Sequence, residues 1–155
     1  MSEQGPNLRQ SILDRLMDRE ANEPVPGRFT TWQQIKAAVR RDLENLLNTK
    51  NFSSSFFPAG AEIHNSLFFY GLPDFTSATP RSSSVMNQVR QSIERAIARF
   101  EPRLRNVTVR VDDSARNERN LRFKISALLV VEPEAERVTF DTLLDVNRNQ
   151  YSVAE

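Results

Sequence analysis

An α+β fold, with amphipathic helices packed on a small antiparallel sheet, is what this sequence predicts, and three observations carry the prediction. Two stretches before Pro102 place apolar side chains every three or four positions, the period of a helix with one buried face. Three stretches after it alternate apolar and polar residues, the period of a half-buried strand. The two regimes meet at Glu101-Pro102-Arg103, where proline disfavours helical geometry at Glu101 and cannot continue the hydrogen-bond ladder. Helices first and strands last is the α+β order, not the alternation of a parallel α/β sheet.

In chain order, Ser11 to Asp18 carries Ile12, Leu13, Leu16 and Met17, a short amphipathic helix pattern. The stretch 20–28, with Pro24, Pro26 and Gly27, breaks it and reads as a linker. Thr30 and Thr31 are candidate N-caps for a second helix, whose stripe is Trp32, Ile35, Val39, Leu43, Leu46 and Leu47. Its other face carries Lys36, Arg40, Arg41 and Glu44. A polar and aromatic loop follows over 51–62. Asn65 to Phe75 is apolar and punctuated by Gly71 and Pro73, a helical turn or short strand closed by a tight turn. Ser82 to Ser84 can cap a third helix with Val85, Val89, Ile93, Ala96, Ile97 and Phe100 on its stripe.

Beyond the corner, Val107, Val109 and Val111 predict one strand, and Leu121, Phe123, Ile125 and the run to Val131 a second. Val138, Phe140, Thr142, Leu144 and Val146 predict a third. Close succession implies an antiparallel meander of three strands, with room for more. The resulting division is a tail, short helix and linker over 1–28, an α+β domain over 29–148, and a polar C-terminal tail over 149–155. The 138–146 strand is a candidate sheet edge, though its pattern also suits an inner strand.

Composition narrows the function. The chain of 155 residues suits one core and has no cysteine, which removes disulfides, thiolate metal sites and cysteine nucleophiles. Lys plus Arg number 21 against 20 Asp plus Glu, a balance unlike that of a polybasic nucleic-acid binder. No stretch approaches the ~18 apolar residues of a membrane span, and the first residues lack a secretory pattern, so a cytoplasmic protein is expected.

Catalytic signals are weak. His64 is the single histidine and has no second histidine for a zinc site. The four glycines form neither a nucleophile elbow nor a phosphate-cradling loop. Glu101 is the natural general acid if a carboxylate pair cleaved a glycosidic bond. A general acid must hold its proton near neutral pH, and the adjacent Arg103 and Arg105 favour the ionised form. Asp112 and Asp113 fall on an expected hairpin tip. No catalytic residue, metal or cofactor is therefore expected. Glu101, Pro102 and Arg103 are instead expected to bind a partner: proline stiffens the corner, and the two charges flank it outside the apolar stripes. Replacing either charge is then expected to spare the fold and weaken capture.

The residues also resemble a known family. Glu101-Pro102-Arg103 after an amphipathic helix, followed by Leu104, Val107 and Val109, is similar to the signature of phage baseplate wedge proteins once labelled tail lysozymes. Ser11 to Asp18, Arg41 to Thr49 and Ser66 to Phe75 resemble segments of the TssE family, its type VI secretion branch. The resemblance spans about residues 8 to 148. It implies a structural baseplate subunit at the cytoplasmic face of the inner membrane, joined to TssF and TssG through the Glu-Pro-Arg triplet. It also implies a place where the TssB–TssC contractile sheath begins, with a sheet like the sheath's own. Strand pairing at an exposed edge is a mechanism for that templating. Neither nucleic-acid binding nor membrane insertion is implied. The alternative is a peptidoglycan-degrading, muramidase-like enzyme.

Overall fold

The computed structural model describes residues 31–51, 62–75, 82–112 and 120–154. The expected first helix at Ser11 to Asp18, its linker and the tip of the first hairpin lie outside the described residues.

Helix α1 spans Trp32–Asn48. Of the two threonines expected as caps, Thr31 is the one used. Its hydroxyl accepts from the Gln34 N–H at 3.3 Å, and the Gln34 side chain accepts from the Thr31 N–H at 3.0 Å. This reciprocal box satisfies two of the donors that a helix start leaves open. Ile35, Val39, Leu43, Leu46 and Leu47 are buried, as their spacing predicts. Two single 3₁₀ turns, Glu62–Asn65 and Leu67–Phe69, fill the segment read as a helical turn or strand. Gly71 then turns with φ +108°, and a Cβ there would meet the Thr49 carbonyl oxygen at 2.2 Å. That close approach docks Leu72 into the core, with its N–H donating to Thr49 O at 2.8 Å.

Helix α2 spans Ser83–Phe100 and stops where Pro102 requires. Strand β1 (Leu104–Asp112) starts at once, followed by β2 (Asn120–Val131), β3 (Glu134–Asp145) and β4 (Gln150–Ala154). The sheet is antiparallel with order β1-β2-β3-β4. One face carries Val109, Phe123, Ile125, Leu129, Val138 and Phe140 into a shared core with both helices, and the other faces solvent.

The fourth strand corrects one expectation and decides between two alternatives. Residues 150–154 are not tail, and the 138–146 run lies inside the sheet. The cause is local. Asp145 Oδ1 accepts from the N–H groups of Asn147 (2.9 Å) and Arg148 (3.2 Å), and Asn149 takes a left-handed φ of 49°. This Asx-type turn reverses the chain and brings Tyr151 and Val153 into the core.

Candidate docking corner

Glu101, Pro102 and Arg103 form the turn between α2 and β1. The Leu104 N–H donates to Glu101 O at 3.1 Å, with proline at the position whose fixed φ suits such a turn. Arg103 folds back on the turn. Its Nε donates to Glu101 Oε1 at 2.6 Å and its backbone N–H to the same oxygen at 3.2 Å. Its Nη2 donates both to Glu101 Oε2 and to Asp42 Oδ2 on α1, the latter at 2.6 Å. The Arg103 carbonyl accepts from the Val130 N–H on β2 at 2.8 Å. One residue thus ties α1, the end of α2, β1 and β2.

The electrostatics follow from this geometry. Burial opposes the guanidinium charge, but the hydrogen bonds and charges of Glu101 and Asp42 outweigh it and hold the Arg103 pKa above its ordinary value. Tyr70, whose ring meets Phe100 edge-on at 5.3 Å, is pushed up by burial first and then by the charges of Asp42 and Glu101.

The three residues share one turn, and Glu101 and Arg103 are paired with each other across it. Glu101 is only 5% exposed, with both oxygens held by Arg103. It is held inside the turn, and removing Arg103 would leave this buried carboxylate without its pair, whereas removing Glu101 would leave Arg103 still bonded to Asp42. The burial of Glu101 argues against the expectation that replacing Arg103 spares the fold. Pro102 is exposed, and the side chains of Arg103 and Asp42 are partly so. The 3₁₀ turn Leu67–Phe69 exposes Leu67 and Phe68. Sequence reasoning missed Asp42, whose partner lies 61 residues away. Its position directly beside Leu43 on the buried stripe was the available signal.

Helix side chains occupy the sheet's edges. At β4, the Asn48 Oδ1 accepts from the Tyr151 N–H at 2.8 Å and its Nδ2 donates to Tyr151 O at 2.9 Å, as a neighbouring strand would. Glu44 accepts from the Val153 N–H at 3.3 Å. At β1, the Val109 N–H donates to Glu94 Oε1 at 2.9 Å. His64 is held against Phe69, with ring centroids 4.4 Å apart, and its carbonyl accepts from Arg99. Among the described residues, no group of three or more His, Cys, Asp or Glu could hold a metal, and no helix is long and apolar enough to cross a membrane.

Two layers joined through an ion-paired turn define a small α+β structural domain. A family model described as baseplate wedge protein gp25 matches residues 33–134, more than half of the 155-residue chain. The protein belongs to that baseplate wedge family. A chain of a solved structure entitled "The baseplate complex from the type VI secretion system" is similar at 17% identity, over 72% of this chain and 94% of that one, with a TM-score of 0.49. A search of curated proteins finds no match.

Proposed function

We propose that the protein is the TssE-type wedge subunit of a type VI secretion baseplate, docking on TssF and TssG at the Glu101-Pro102-Arg103 corner. The observation that carries this reading is the corner itself. It lies within the family-matched region, is cross-braced to α1 and β2, and keeps Pro102 and part of Arg103 accessible. A surface held in one geometry before binding loses less entropy on docking. The subunit acts in the cytoplasm at the inner membrane face and seeds the TssB–TssC sheath. If seeding uses strand pairing, the incoming strand must first displace Asn48 and Glu44 from β4 or Glu94 from β1.

The role is structural. A muramidase acid needs a carboxyl that reaches the glycosidic oxygen. Both oxygens of the buried Glu101 are taken by Arg103, which counts against that use.

The test uses Pro102→Ala, because the ring is exposed and its loss leaves the Glu101–Arg103 pair in place. Capture of purified TssF–TssG should fall about tenfold, roughly 1.4 kcal/mol, while the unfolding midpoint changes little. Unchanged capture at full stability would place the docking surface elsewhere.

A further inference from the structure

We infer that the solvent face of the sheet is a docking surface for an acidic segment of a protein partner. The face away from the helices holds a depression of about 680 Å³ that spans the four strands. In one cross-strand row Arg110 lies opposite Lys124, and Lys124 opposite Asp141. The next row on the same face sets Asp112 opposite Arg122, and Arg122 opposite the half-buried Leu143. Ser152 and Ala154 close the β4 side.

Three cations thus share the depression with two carboxylates, and their arrangement is uneven. Arg110 stands directly across from Lys124, and like charges in that position destabilise a sheet. Arg122 is the diagonal neighbour, within reach of a long side chain at roughly 7–8 Å. Lys124 approaches Asp141 only to 3.7 Å, with both side chains more than half exposed, so that pair relieves little. An acidic residue at position 110 would remove the repulsion at no cost in packing. The cations are instead gathered where a visiting carboxylate could accept charge-assisted hydrogen bonds from two of them.

The chemistry of the rim selects the visitor. Asp112 and Asp141 would repel a continuous phosphate backbone, whereas carboxylates spaced along a peptide can avoid them. Leu143 and Ala154 offer apolar contact between the charged positions. This surface is separate from the Glu101-Pro102-Arg103 corner, so the two can be tested independently.

The experiment titrates a fluorescein-labelled peptide of alternating glutamate and alanine with the full chain and follows anisotropy at low and high salt. Saturable, salt-sensitive binding is expected, weakened about tenfold or more by Arg110→Glu. The same variant should unfold at an equal or higher temperature, since it exchanges a repulsion for an attraction. Asp141→Asn should tighten binding about two- to fivefold. No saturable binding to the wild type, or binding of Arg110→Glu within about twofold of it, would overturn the proposal. Equal affinity for a labelled hexathymidylate would overturn it too, by reducing the site to a general anion surface. No baseplate protein enters the assay, so failure here leaves the capture test of the corner untouched.

Discussion

Thr142 carries the one buried side-chain nitrogen or oxygen among the described residues that lacks a hydrogen-bond partner. It is 2% exposed and sits between Phe123 and Val153 on the inner face of the sheet. An unsatisfied buried hydroxyl costs about 1–3 kcal/mol, and valine has the same shape without that cost. Thr142→Val should raise stability by about 1 kcal/mol, read as a higher urea midpoint at unchanged slope. Tyr151 offers a second residue-level outcome. Burial pushes its hydroxyl up to about 12. The unfolded chain loses that proton near pH 10, earlier than the folded one. The stability Tyr151 contributes is therefore complete below about pH 10 and lost as the pH rises towards 12, in total on the order of 2–3 kcal/mol. Urea midpoints across that window should fall for the wild type and fall less for Tyr151→Phe. Tyr70 moves in the same direction and leaves a residual slope.

Both helices do more than bury a stripe: each also finishes an edge of the sheet. Unpaired edge groups invite unwanted strand addition, and here side chains answer them. Asn48→Leu introduces a better helix former but leaves the Tyr151 N–H and C=O without partners. It should cost about 1–3 kcal/mol and speed hydrogen exchange at the Tyr151 amide more than at neighbouring strand amides. A global loss of protection without that local signature would mean that Asn48 acts only through the helix. Such roles mark the boundary of what the sequence tells. The stripes from Ile35 to Leu47 and from Val89 to Ile97 were legible because burial repeats with the helical period. The stop at Pro102 was legible from proline chemistry alone. Glu101's burial was not, because it follows from the packing of the helix end against the rest of the fold, which no local pattern encodes. Strand β4 was missed because five residues give only two inward positions, Tyr151 and Val153, too short an alternation to stand out from a polar tail.

At the scale of the molecule, the core from Ile35 to Val153 joins both helices and all four strands into one cluster. At the N-terminal boundary of the described core, Thr31 and Gln34 cap α1 reciprocally. Trp32 Nε1 donates to Glu134 at 3.2 Å and Lys36 Nζ to Glu136 at 2.7 Å, fastening the first turns of α1 to β3. These exposed or half-exposed links are individually worth only about 0–1 kcal/mol, so the apolar stripe of α1 remains the main attachment. A chain that begins at Phe29, lacking residues 1–28, should therefore keep a single cooperative urea transition. Its stability should lie within about 0.5 kcal/mol of the full chain's, the range for a change that removes no core contact. Trp32, the sole tryptophan, reports the transition from the attachment point itself. A broadened transition or a lower slope in the truncated chain would mean that the first 28 residues contribute to the core, and the domain boundary at 29 would move towards the N-terminus.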